Sequence, residues 1–196
     1  QIDIHFLAMV KAPSDMYSMF GYFAGNIEGL DKFDVSNVHY AGGAFQGATG
    51  KVKGSDFANW KTGKIENFSH MFMFSNINPD VSKWDMSSAQ SLDRMFYSAK
   101  EANPDVTNWN VKSVLNINEM FYTAEKANPD ISKWRFNELS TITGAFAYSN
   151  ISKANMSKWN LKTTAEDVAK DALLGCRNLK YLKTPPGLTL KIGPYG

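Results

Sequence analysis

A short pattern, apolar-x-x-apolar and usually a further x-apolar, returns eight times along this chain, starting at Ile4, Leu30, Phe57, Val81, Val106, Ile131, Met156 and Leu179. Its fourth position reads Leu7, Phe33, Trp60, Trp84, Trp109, Trp134, Trp159 and Leu182, so five consecutive copies carry tryptophan. A second beat falls 12 residues later, at Phe45, Phe72, Phe96, Phe121 and Phe146, preceded by Met71, Met95 and Met120 or by Ala44 and Ala145. Two beats locked in phase at spacings of 23–27 residues identify a repeat array, in which each unit buries its apolar face only against its neighbours.

One unit shows what the pattern implies. Asn78-Pro79-Asp80 is a turn signal, because proline fixes its own φ and the flanking Asn and Asp bond their local backbone. Val81 to Met86 then reads as a short strand with Trp84 and Met86 inward and Lys83 and Asp85 outward. Ser87 or Ser88 caps a short helix whose Ala89, Leu92, Met95 and Phe96 share one stripe. The predicted fold class is therefore α/β: a leucine-rich-repeat-like solenoid of about eight coils of ~25 residues, with short parallel strands on the inner face and short helices on the outer face. A single domain spans 1–196, with the first visible coil over 1–29, regular repeats over 30–162 and a C-terminal coil and cap over 163–196. In that cap Thr164 to Asp167 resembles a capping box, the helix is expected to run to about Cys176, and Asp171 stands where phenylalanine is due. Pro185-Pro186-Gly187 halts regular pairing ahead of a further edge strand over 188–192. No polar covering segment precedes Ile4, so the parent chain is expected to continue upstream.

Composition narrows the function classes. The formal net charge is +2, and the basic residues are 18 Lys against three Arg; arginine is the residue suited to bidentate phosphate and base recognition, so nucleic acid is not an expected partner. No stretch approaches 18 uncharged apolar residues, so no membrane insertion is expected of this segment. Cys176 alone rules out an internal disulfide framework. There is no G-x-S-x-G, phosphate loop or dinucleotide fingerprint, and His5, His39 and His70 are scattered rather than set beside carboxylates in repeat register. Neither an enzyme, a cofactor nor a metal site is expected, and a monomer is.

The repeats Asn78 to Met86 with Met95-Phe96, and Asn128 to Phe136 with Ala145-Phe146, resemble those of BspA-type leucine-rich-repeat surface proteins of bacteria, in the branch whose units read N-x-D-[IV]-S-x-W-x-[VF] followed by M-F. The segment from Ala172 to Pro185 is similar to the group's other repeat form. The first two coils depart from the pattern, with Leu7 and Phe33 in place of tryptophan. The resemblance implies an extracellular, surface-anchored or secreted protein acting in adhesion or recognition of a host protein or glycan, and brings no catalytic residues. Its alternatives are a structural spacer or stalk carrying another domain, and an immune-evasion or nutrient-capture receptor.

The tryptophan column falls in the buried slot of the repeat and is expected to pack in the core, each indole N–H bonding a backbone group. The outward strand positions are the expected ligand surface: Lys83, Asp85, Asn108, Asn110, Lys133, Arg135, Lys158, Asn160, Lys162 and Lys183. Their basic second half suits an acidic protein segment or an anionic glycan, against the plainer reading of a solvated face with Lys–Asp pairs. Asp80, Asp105 and Asp130 could suggest stacked calcium ligands, but turn capping is the simpler use, since calcium needs six to eight converging oxygens. Cys176 sits in an apolar slot and is expected to be an inert thiol.

Overall fold

Between Leu92 and Ala99 the inward side chains fall at i, i+3, i+4 and i+7, the helical spacing, yet the backbone is a chain of four-residue turns. Met95 N–H donates to Leu92 O (3.1 Å), Tyr97 N–H to Arg94 O (3.1 Å) and Ala99 N–H to Phe96 O (3.0 Å). The alternate N–H groups leave the repeat altogether. Those of Leu92, Arg94, Phe96 and Ser98 donate to the carbonyls of Asn116, Asn118, Met120 and Tyr122 at 3.0, 2.9, 2.8 and 2.7 Å. The same ladder joins the turn rows beginning at Met16, Ala41, Phe68, Leu92, Ile117 and Ile142, each to the row that follows it. A line of single parallel bridges, Asp15–Tyr40–Asn67–Ser91–Asn116–Thr141, runs along its edge.

The computed structural model describes residues 1–192, and it overturns the expected α/β solenoid. Among the described residues there is no α-helix; short 3₁₀ turns occupy Leu30–Lys32, Gly54–Phe57 and Glu166–Ala169. Regular strands form three two-stranded parallel pairs: β1 (Ile4–His5) with β3 (Ile27–Glu28), β2 (Val10–Lys11) with β4 (Phe33–Asp34), and β5 (Lys153–Asn155) with β6 (Tyr181–Lys183). Most of the chain is turn and loop. The helix failed because each candidate is only about two turns long, where nucleation in water is unfavourable, and because its N–H groups find partners on the neighbouring repeat instead. The expected strand of Val81 to Met86 is a turn as well: Trp84 N–H donates to Val81 O at 3.1 Å, which is why the apolar residue and the tryptophan stand three apart.

The core is two ladders of rings. Phe20, Phe45, Phe72, Phe96, Phe121 and Phe146 stack at centroid spacings of 5.1, 5.6, 5.5, 5.4 and 5.9 Å, extending the expected column by Phe20. All five tryptophans are buried, with Trp60–Trp84, Trp109–Trp134 and Trp134–Trp159 stacked at 6.0, 6.4 and 6.3 Å. Four indoles reach a backbone carbonyl: Trp60 to Leu30 (2.9 Å), Trp84 to Phe57 (2.8 Å), Trp109 to Val81 (2.9 Å) and Trp134 to Val106 (3.0 Å). Trp159 Nε1 is buried without a partner among the described residues.

Both ends differ from the sequence expectation. Leu7 is 88% exposed; Phe6 packs instead, 5.0 Å from Phe33, and the strand register sets Val10 opposite Phe33. Near the C-terminus the exposed Asp171 is a left-handed turn residue (φ 57°), and the buried Leu173 fills the phenylalanine slot, as the Phe146 N–H to Ala172 O bond fixes the register. The expected helix to Cys176 reduces to the 3₁₀ turn Glu166–Ala169; the Glu166 side chain and residues 193–196 of the expected cap lie outside the described residues. No helix among the described residues is long and apolar enough to cross a membrane.

Candidate functional site

The turn rows that start at Phe68, Leu92 and Ile117 bury their first, fourth, fifth and eighth residues and leave the others partly or wholly open to solvent. Each row needs a left-handed residue at its third and seventh positions to close successive turns, a backbone state that glycine adopts freely. Glycine is used at Gly43, Gly47, Gly144 and Gly175, with φ of 62, 66, 60 and 67°. Elsewhere the chain places side chains there: Ser18 (φ 52°), His70 (61°), Arg94 (52°), Glu119 (51°) and Asp171 (57°) at the third position, Tyr22 (57°), Phe74 (62°), Ser98 (51°), Thr123 (56°) and Tyr148 (58°) at the seventh. Left-handed backbone costs an L-residue about 1–2 kcal/mol, and such outliers collect where function holds them.

These side chains form one face. Its aromatic column runs Phe74–Tyr97 (5.7 Å, edge-on), Tyr97–Tyr122 (5.0 Å, stacked) and Tyr122–Tyr148 (5.7 Å, edge-on), and Phe74 and Tyr148 remain 44% and 42% exposed. Beside it Arg94 Nε and Nη2 donate to Glu119 Oε1 at 3.2 and 3.0 Å, and Arg94 also approaches Asp93 Oδ2 at 3.6 Å. Burial raises the Asp93 carboxyl pKa above its ordinary value, outweighing the opposing pull of Arg94 and His70. The rim is polar and internally bonded: Ser69 Oγ lies 2.7 Å from Ser91 Oγ, and Thr141 Oγ1 donates to Asn118 Oδ1 at 2.7 Å. Rings, a fixed ion pair and hydroxyls on a hydrogen-bonded backbone make a surface that can recognise a partner.

Apart from Lys183, the residues named from sequence lie on the other arm of the repeat, on turns and not on a sheet. Asp85 Oδ1 accepts Ser87 N–H (3.0 Å), Asn110 Oδ1 accepts Lys112 N–H (3.1 Å), and Asn160 Nδ2 donates to Asn137 O (2.6 Å). Arg135 donates to the carbonyls of Ser132 and Trp134 at 3.0 and 2.8 Å, and Lys133 Nζ to Asn108 Oδ1 at 3.3 Å. Lys158 and Lys162 are exposed, and Lys183, on β6, stands 5.9 Å over the Tyr181 ring. Lys83 and Asp85 meet Lys61 and Lys64 around a groove of about 430 Å³ beside Trp60.

Asp80 and Asp130 are turn caps, each accepting the N–H and hydroxyl of Ser82 or Ser132, and Asp105 accepts Thr107 N–H. The asparagines ahead of them form a ladder, Asn78 Oδ1 accepting Asn103 N–H and Asn103 Oδ1 accepting Asn128 N–H at 2.9 and 3.0 Å. No group of three potential metal ligands exists among the described residues. Two histidines do find carboxylates across repeats, His5 with Glu28 at 3.0 Å and His39 with Glu66 at 3.2 Å; separations of 23 and 27 residues concealed both. Cys176 is buried, its thiol donating to Phe146 O at 3.0 Å, and burial pushes its pKa up to about 11.

The model of the family described as Mycoplasma protein of unknown function, DUF285, matches residues 14–73 and 42–159. The chain belongs to this family. No curated protein and no solved structure matches it. Within the DUF285 match lie all six of these rows and all five tryptophans; its end at 159 leaves β6 and the C-terminal turns outside. The aromatic face went unseen in the sequence because its columns were assigned to a helix, although the glycines at the third and seventh positions of the Ala41 row were the signal for left-handed turns.

Proposed function

We propose that this DUF285 chain is a binding module of a bacterial surface protein, recognising a host protein or glycan in adhesion through the face of its turn rows. The observation that carries the reading is the use of His70, Phe74, Arg94, Glu119 and Tyr148 where glycine would relax the backbone. Large side chains held there against the backbone cost, and left partly open to solvent, suit a ligand surface. Surface display fits the resemblance to BspA-type proteins, and the fixed backbone limits the ordering cost of binding.

The test uses the same conformational fact. Phe74→Gly and Arg94→Gly each remove a side chain at a position that favours glycine, so the fold is retained. A serum or matrix component captured by the wild type is identified, purified and titrated against both variants and against charge reversal of Lys133, Arg135 and Lys158. Loss of binding in the glycine variants alone supports this face; loss only on charge reversal moves the site to the basic turns. A folded protein that captures nothing refutes the module and favours the spacer.

A further inference from the structure

At the C-terminal end of the aromatic column the Tyr148 ring lies against the backbone of Gly175. A Cβ built on Gly175 would meet Tyr148 Cδ1 at 2.3 Å and Cε1 at 2.5 Å, so the glycine serves both its left-handed φ of 67° and the seat of the ring. Beside the ring opens a groove of about 540 Å³, within the volume range of small-molecule sites. Three successive rows line it: Thr123 and Glu125, then Tyr148 and Asn150, then Arg177 and Asn178. Asn178 Nδ2 bonds Asn150 Oδ1, and Glu125 faces Lys100 only at 3.9 Å.

We propose that this groove is a subsite for one pyranose unit of a glycan, stacked on Tyr148 and held at its edge by Asn150, Arg177, Asn178 and Glu125. The assignment rests on reading the turn face as the binding surface, and names one ligand class for it. The ring's π face is electron-rich and attracts the polarised C–H bonds of a sugar face. The rim mixes amide, guanidinium and carboxylate groups, donors beside acceptors, which suits hydroxyls that act as both. A phosphate would meet Glu125 as well as the single guanidinium, and a purely apolar ligand would find no floor beyond one ring.

Saturation-transfer NMR of the whole chain with methyl glycosides of glucose, galactose, mannose, N-acetylglucosamine and N-acetylneuraminic acid tests it. Transfer to the ring C–H protons of at least one glycoside is expected, retained in Tyr148→Phe and lost in Tyr148→Gly. Asn178→Ala, at an exposed position outside the ring ladder, is expected to weaken binding about tenfold, the worth of one hydrogen bond. No transfer to any of the five, or transfer that persists in Tyr148→Gly and Asn178→Ala, overturns the subsite. If partner capture through Phe74 and Arg94 survives that result, only the sugar assignment falls; if capture fails while glycoside transfer holds, the larger reading falls and the groove stands.

Discussion

The single unpartnered indole supplies an internal control for the tryptophan ladder. Trp109 and Trp159 are both buried, at 3% and 2% exposure, and both sit in the fourth position of their repeats, so replacing either by phenylalanine removes a similar apolar area. The polar consequences are opposite. Trp109→Phe deletes the 2.9 Å bond to Val81 O, a loss of about 0.5–1.5 kcal/mol; Val81 O keeps Trp84 N–H as a donor, so no orphan is created. Trp159→Phe deletes a buried N–H that has no acceptor, recovering about 1–3 kcal/mol of desolvation. The two variants should therefore differ by about 1.5–4.5 kcal/mol, with Trp109→Phe the less stable. At roughly 2–4 °C per kcal/mol for a chain of this size the gap is several degrees. Thermal melts followed by backbone circular dichroism read it without relying on tryptophan emission. Equal melting temperatures, or a larger loss for Trp159→Phe, would show that the indole bonds do not help lock one repeat to the next.

Three further outcomes follow from named contacts. Gly47→Ala forces a Cβ into left-handed backbone and to 2.4 Å from Tyr22 Cδ1, and should cost at least about 1–2 kcal/mol; an unchanged urea midpoint would contradict the turn geometry. Cys176, buried and with its pKa pushed up to about 11, should resist iodoacetamide at pH 8 in the folded protein and react once urea unfolds it; mass spectrometry showing prompt native labelling would contradict its burial. The Ser82 and Ser132 hydroxyls, with the N–H groups beside them, hold the Asp80 and Asp130 carboxyls below their ordinary pKa. A depressed folded pKa gives stability that is present above the unfolded value and lost as pH falls through the folded one. The double variant Asp80→Asn, Asp130→Asn should accordingly flatten the acid limb of the stability profile, and an unchanged limb would remove these caps from it.

The repeat period, the buried tryptophans and the capping role of Asp80, Asp105 and Asp130 were all legible in the sequence, because each depends on spacing or on local turn chemistry. Secondary structure was not. Leu92, Met95, Phe96 and Ala99 fall at i, i+3, i+4 and i+7, and a chain of four-residue turns buries that set just as an α-helix does, so periodicity cannot separate them. What separates them is where the backbone hydrogen bonds go. Here half of those donors cross to the next repeat, a non-local choice that no single repeat records.

That choice also settles which side chains are free. On the tryptophan arm, Asp80, Asp85, Asn110 and Asn155 are committed to the N–H groups two residues on, and substituting them loosens a turn. On the turn rows the backbone closes its own bonds locally and along the ladder, leaving the outward side chains with little structural duty. Glycine does not bound that face: Ser18 and Tyr22 hold left-handed backbone ahead of Gly43 and Gly47, and Asp171 does so between Gly144 and Gly175, so the same backbone cost is met along the whole column of rows. The binding footprint is bounded instead by the aromatic column and the groove at its end, from His70 to Asn178, so a substitution at Tyr17, outside that span, should leave partner capture unchanged.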